Sequence, residues 1–150
     1  MANTKPLVQI ACFCEMVLVE RDDVVSAIRI VDTYHVNTDQ TGAVPEGVTP
    51  VIEVNGLISL KSGDLKGNYR VSLVMENPLG VRTELSPAGG WPVTFDGEAH
   101  GPNIRLKFPL GVRNLGLCWF DVMFENEVLT RMPLRLSSAP KPEDLAKDPS

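Results

Sequence analysis

The sequence has few of the residues and motifs on which most enzymes and membrane proteins depend. Its 150 residues include two histidines and three cysteines, and only 6% are aromatic. No serine lies in a G-x-S-x-G elbow, and neither common glycine-rich phosphate loop is present. No apolar run approaches the roughly 20 residues that span a bilayer. We therefore assign no catalytic residues and expect neither an enzyme nor a membrane protein.

The cysteines, Cys12, Cys14 and Cys118, do not suggest a disulfide framework, because their number is odd and the chain is long enough to form a core. Cys12 and Cys14 share one face of a predicted strand. A Cys-x-Cys pair with one distant cysteine lacks the fourth ligand of a structural zinc site. We interpret all three as buried free thiols, which fits a reducing compartment, and we expect a cytoplasmic protein.

The charge balance argues against nucleic acid as a partner. The net charge is -5, and the basic residues are scattered rather than grouped. Valine is the commonest residue, with 18 copies against 8 alanines, and glycine and proline number 12 each. Valine favours strands, whereas glycine and proline favour turns. The composition therefore predicts a protein made mostly of β-strands.

Alternating apolar and polar residues predict about eight strands in one domain over 1–136, followed by a flexible tail over 137–150. The predicted class is an all-β antiparallel β-sandwich with immunoglobulin-like layering, and a β-barrel is the alternative. A long connection over 86–103 contains one further short strand candidate at 93–95. The main strands are predicted at 7–20, 24–36, 51–60, 69–76, 81–85, 104–110, 116–124 and 128–136.

Two local signals refine these predictions. Asn77-Pro78-Leu79-Gly80 matches a type I turn and predicts a hairpin between its flanking strands. Pro133 has no N–H to donate, so the strand that contains it should be an edge strand or be bulged.

The first two strands can form a hairpin centred near Asp22, in which paired residue numbers sum to 44. Glu15 then lies opposite Arg29 as a pair of opposite charges. In this register the even-numbered side chains form the core face, and Asp32 lies among them. Two alternatives remain open. A slip by one residue exchanges the two faces, and the two strands can also belong to different sheets.

Four short segments carry a resemblance to a known family. They are ACFCEMV at 11–17, SAIRIVD at 26–32, VMENPLG at 74–80 and GLCWFDVMF at 116–124. On these motifs, which are structural and of low specificity, the chain resembles a family of small bacterial proteins known only as a domain of unknown function. The resemblance covers most of 7–136 and implies a β-sandwich without catalytic residues. The family's glycine-containing turn before the second strand is replaced here by Arg21-Asp22-Asp23.

Asp96, Glu98 and His100 are the only candidate metal ligands. They offer two oxygens and one nitrogen, and an extended segment would place all three on one side. Asp96-Gly97 is a turn signal, however, and acidic loop residues are usually only solvated. Three ligands also fall short of a closed site. We therefore expect no cofactor, and a metal-dependent enzyme is the least favoured function.

Three aromatic residues are candidate binding residues. Trp91 lies in a long loop and can anchor a partner or close one end of the sandwich. Trp119 and Phe13 lie in strand phases predicted to face away from the core, and exposed apolar surface marks interfaces. We therefore expect a non-enzymatic binding or protein-interaction module whose partner is a protein. The alternative is a structural subunit of a homo-oligomer or a larger assembly.

Overall fold

Ten β-strands form the fold in a computed structural model that describes residues 4–36, 47 and 49–138. No helix is present within these ranges. The predicted strand over 24–36 divides at Asp32, and the candidate at 93–95 extends into a full strand, which raises the number above eight. The strands are β1 (Leu7–Val19), β2 (Val25–Val31), β3 (Thr33–Val36), β4 (Val51–Lys61), β5 (Lys66–Glu76), β6 (Arg82–Glu84), β7 (Trp91–Asp96), β8 (Asn103–Gly111), β9 (Gly116–Phe124) and β10 (Glu127–Ser138).

The strands form two sheets, which confirms the predicted sandwich. Sheet A has the order β2-β1-β4-β8, and sheet B has the order β3-β10-β9-β5-β6, with β7 also paired to β5. Every pair is antiparallel except β3 with β10. Both sheets end in open edge strands, so the architecture is two layers rather than one closed sheet.

The main core fills the space between the sheets. Alternate residues of β4, among them Val54, Ile58 and Leu60, point inward from sheet A and are fully buried. From sheet B, Phe120 meets Phe13 of β1 edge to face, with 4.8 Å between the ring centroids. This contact joins the two layers near the middle of the sandwich.

Asp32 lies where the chain crosses between the sheets. β2 ends in sheet A at Val31, and β3 begins in sheet B at Thr33. The Asp32 carbonyl oxygen accepts a hydrogen bond from the Arg135 N–H at 2.9 Å, and its carboxylate accepts one from the Thr33 hydroxyl at 3.1 Å. Asp32 is exposed. Its predicted place on the core face was wrong, because Val31 pairs with the core residue Phe13 and the even-numbered neighbours of Val31 therefore face away from the core.

The first hairpin has the predicted register but the opposite faces. Cys14 pairs with Ile30 and Met16 with Ile28, so paired numbers sum to 44. Phe13 is nevertheless buried, whereas the even-numbered Met16 is exposed. The prediction that the even-numbered face is the core face was therefore wrong.

The alternation of side chains between the two faces of β1 also breaks within this hairpin. Cys14 and Val17 would lie on opposite faces of a regular strand, yet both belong to one buried cluster with Leu57. Between them, Glu15 lies opposite Arg29, whose φ of 55° is left-handed. Leu57 is flanked by two inward-facing residues, so this second cluster lies on the face of sheet A that points away from sheet B.

Two turn and edge predictions agree with the structure. Gly80 donates its N–H to the Asn77 carbonyl oxygen at 2.9 Å and closes the hairpin between β5 and β6. Pro133 pairs with Trp119 on one side, while β3 pairs with β10 only from Arg135 onward. Within the described residues, the other side of Pro133 is therefore a sheet edge.

The predicted domain boundary at 136 falls inside a strand, because β10 continues to Ser138. The remainder of the predicted tail, 139–150, lies outside the described residues. The predicted loop over 37–50 is described only at 47, 49 and 50.

Candidate functional site

The three candidate metal ligands do come together. Asp96, Glu98 and His100 each offer an atom, and these atoms lie within 4.8 Å of one another. They converge through a turn at Gly97, whose φ is 81°, and not through an extended segment. The His100 Nδ1 lies 3.3 Å from Asp96 Oδ2. This is the only such group among the described residues.

The buried side chain of Ser62, the residue that follows β4, holds this turn through hydrogen bonds. Its Oγ lies 2.6 Å from the His100 carbonyl oxygen and 3.1 Å from Asp96 Oδ1. The Glu98 N–H also donates to Asp96 Oδ1, and this backbone hydrogen bond is the largest cause that lowers the pKa of Asp96. These bonds satisfy one carboxylate oxygen within the turn itself. The three ligand side chains are all exposed, so the cluster has no enclosing cavity.

The three candidate binding aromatics lie in different environments. Phe13 is only 2% exposed and belongs to the main core, so it does not contribute to a surface. Its proposed binding role rested on the reversed hairpin face. Trp91 begins β7 and packs, partly buried, against the same core. This position agrees with the interpretation that Trp91 closes the sandwich.

Trp119 does face outward from sheet B, but a charged network covers it. The Arg131 guanidinium lies over the indole, 4.7 Å from the ring centroid. The Arg131 Nε also donates to Asp121 Oδ1 at 2.7 Å, and Arg82 donates to Asp121 Oδ2 at 3.0 Å. Glu76 accepts a further hydrogen bond from Arg131 at 3.1 Å. This network of two arginines and two carboxylates was not predicted.

Asp121 is the buried member of this network, at 3% exposure. Burial acts to raise the pKa of its carboxyl, but the hydrogen bonds from Arg131 and Arg82 outweigh burial and leave the pKa lowered. Its fixed carboxylate lies between both arginines, so the network is a closed structural unit. The one signal in the sequence was an aspartate within an otherwise uncharged strand, GLCWFDVMF.

The cysteines do not assemble into a site. Cys118 lies in the main core, whereas Cys12 and Cys14 belong to the second cluster on the far face of sheet A. All three are free thiols, and burial raises their pKa values. They are therefore protonated near neutral pH, and a protonated thiol is a poor metal ligand and a weak nucleophile.

An exposed apolar area lies on the β1–β2 hairpin. We call the side chains of Met16, Leu18 and Ile28 the hairpin surface; they are 51%, 40% and 38% exposed. Ile30 is 70% exposed but pairs with Cys14 on the opposite face of the hairpin. Met16 pairs directly with Ile28 across the hairpin. β2 is the edge strand of sheet A, so no other described strand covers it.

An acidic turn borders the hairpin surface. Glu20, Asp22 and Asp23 are exposed at the tip of the hairpin, with Arg21 as the single basic residue among them. The side chains of Glu15 and Arg29 pair across the hairpin at 3.2 Å, so their charges offset each other. The tip therefore adds a local negative charge beside an apolar area.

The chain matches no protein-family model and no curated protein sequence. Among the described residues, no helix is long and apolar enough to cross a membrane.

Proposed function

We propose that this protein is a non-enzymatic protein-interaction module that binds its partner through the hairpin surface. The single observation that supports this proposal is the exposure of three large apolar side chains together on one face of an edge hairpin. Single exposed apolar residues are common, but grouped ones mark interaction sites. Burying this group would gain apolar contact that the isolated chain leaves in water.

The charges indicate what kind of protein would bind there. The tip of the hairpin is acidic, and the whole chain carries a net charge of -5. A partner with an apolar patch bordered by basic side chains is complementary to this surface. A second copy would instead bring a further acidic tip and an equal net charge, which opposes association.

The backbone of β2 favours contact by the face of the hairpin over addition of a strand to its edge. Arg29 adopts a left-handed conformation in the middle of this edge strand. Irregular backbone and charge on an edge strand hinder continuous pairing with another chain. We therefore place the contact on the side chains of Met16, Leu18 and Ile28.

Site-specific photo-crosslinking in the source cell tests the proposal. A photoreactive residue at Met16 or Ile28 should give one discrete adduct, while the same residue at Leu79 should not. Leu79 is a stringent control because it is 72% exposed, more than the 51% of Met16, but lies in a turn of sheet B. If all three positions give the same adducts or none, the hairpin surface is not a binding site.

The partner identified in the adduct must also bind through the apolar and charged contacts that we propose. With the purified partner, Met16→Asp should abolish binding and Leu79→Asp should leave it unchanged. Neutralising Asp22 and Asp23 together should slow association and reduce its salt dependence, because these charges would steer a basic partner. Binding that is unaffected by both changes would contradict the proposed surface.

The second candidate function is a structural subunit, because the same apolar hairpin can bury itself against another copy. Light scattering distinguishes the two functions. A mass of 16.4 kDa at all concentrations excludes self-association. A dimer that Met16→Asp dissociates, together with an adduct of two identical chains, would support the subunit and overturn the heterologous partner.

A further inference from the structure

A cleft of about 420 Å³ opens between the two sheets at one end of the sandwich. There the turn between β5 and β6 faces the connection between β8 and β9. The floor of the cleft is apolar and comes from both sheets. β8 of sheet A supplies Leu110, and the segment after β8 supplies Val112. Sheet B supplies Cys118 and Leu136. The cleft lies within the usual size range of small-molecule pockets.

The polar groups at the mouth of the cleft include two that can donate to an anion. Arg113 lines the mouth, and none of the ion pairs among the described residues involves it. The carboxamide oxygen of Asn77 accepts the N–H groups of Leu79 and Val81, both at 2.9 Å. Its amino group is then the part that can contact a ligand. No aspartate or glutamate is among the described residues that line the cleft.

We propose that this cleft binds a small amphipathic carboxylate, with its apolar chain on the floor and its carboxylate at Arg113. An apolar floor with few, convergent polar groups is the usual composition of a small-molecule site. Guanidinium groups pair with carboxylates through two parallel hydrogen bonds, and an amide donor adds a third. None of the described lining residues is acidic, so none of them would repel an anion.

Cys118 contributes to the floor as an apolar side chain. Burial raises the pKa of its thiol, so it stays uncharged at neutral pH. The ligand is therefore held without covalent chemistry.

The proposed cleft does not depend on the hairpin surface. Its described lining residues begin at Met75, whereas the hairpin ends at β2 with Val31. Met16→Asp should therefore leave ligand binding unchanged. Failure of either proposal is distinguishable from failure of the other.

Calorimetric titration of the full chain with octanoate tests the inference, with octanol as the uncharged probe of equal chain length. We expect saturable binding of octanoate and roughly tenfold weaker binding of octanol, as for the loss of one charge-assisted contact. Arg113→Gln should reduce octanoate affinity by roughly the same factor and remove the preference for the carboxylate. Backbone amide shifts in NMR spectra should change around Val112 and Cys118.

Two further variants make the result specific. Arg105→Gln removes the same charge from an exposed position on β8 that does not line the cleft, and it should leave octanoate affinity unchanged. Val81→Trp at the mouth should weaken octanoate and octanol alike, because the indole would occupy the entrance. The inference is overturned if octanoate does not bind saturably, if octanol binds equally well, or if Arg105→Gln has the effect of Arg113→Gln.

Discussion

Replacing Asp121 by asparagine should destabilise the fold, because this carboxylate is the shared acceptor of two arginines. It is 3% exposed and receives hydrogen bonds from Arg131 at 2.7 Å and Arg82 at 3.0 Å. Asparagine keeps the shape but provides one acceptor oxygen and no charge. One arginine would then face an NH₂ group, which cannot accept its hydrogen bond.

The magnitude follows from these two contacts. A hydrogen bond to a charged group contributes about 1.5–3 kcal/mol, and two would give up to twice that amount. The side chains of Arg82 and Arg131 are 44% and 43% exposed, so water partly replaces what they lose. We therefore expect the free energy of unfolding to fall by about 2–3 kcal/mol.

Urea unfolding at pH 7 measures this loss, and Glu53→Gln is the matched control. Glu53 pairs with Lys107 at 3.9 Å, and both side chains are more than half exposed. Removing this carboxylate should change the free energy of unfolding by less than about 0.5 kcal/mol. If the two variants lose equal stability, the Asp121 network does not stabilise the fold as argued.

The same contacts predict a pH dependence. The hydrogen bonds from Arg131 and Arg82 hold the pKa of folded Asp121 below its ordinary value, although burial opposes them. The unfolded chain therefore binds the proton first as the pH falls. The stabilisation is complete above the unfolded pKa of about 3.9 and is lost as the pH falls through the folded pKa. The stability difference between wild type and Asp121→Asn should narrow below about pH 4; a constant difference down to pH 2 would refute this mechanism.

Three further results are expected. Phe13→Ala should lower the free energy of unfolding by about 3–5 kcal/mol in urea, because it empties the centre of the core, and a loss below about 1 kcal/mol would contradict that placement. Gly101→Ala should markedly lower the melting temperature, because its Cβ would collide with the Leu60 carbonyl oxygen; an unchanged temperature would contradict that contact. Protein purified without chelator should contain substoichiometric metal, because Asp96 and its neighbours offer only three exposed ligands. Stoichiometric metal that is lost in His100→Ala would contradict this expectation.

The register of the first hairpin was predictable because the polar segment Arg21-Asp22-Asp23 marks the turn. Glu15 then lies opposite Arg29, and the structure places the Glu15 carboxylate 3.2 Å from the Arg29 guanidinium. The buried face was not predictable, because both faces of β1 are apolar. Phe13 on one face and Cys14 on the other give no hydrophobic difference from which to choose. The left-handed Arg29 then interrupts the alternation on which any such choice would rely.

The places of two aspartates could not be predicted for a related reason. Asp32 lies where the chain leaves sheet A, and an alternating pattern does not indicate where a strand changes sheet. Asp121 is buried because Arg82 and Arg131 reach it from different strands. Those partners are 39 and 10 residues away along the chain, so only the tertiary arrangement reveals them.

The parallel pairing of β3 with β10 has a consequence for synthesis on the ribosome. β3 ends at Val36, but the strand it pairs with begins at Glu127. All four strands of sheet A have been synthesised once the chain reaches Gly111, whereas the partner of β3 has not. The nascent chain must therefore hold β3 unpaired until about a hundred further residues have emerged, and such long-range pairing is slow to form. During this interval the half-built core is exposed to aggregation, so chaperone demand should be greatest just before β10 is complete.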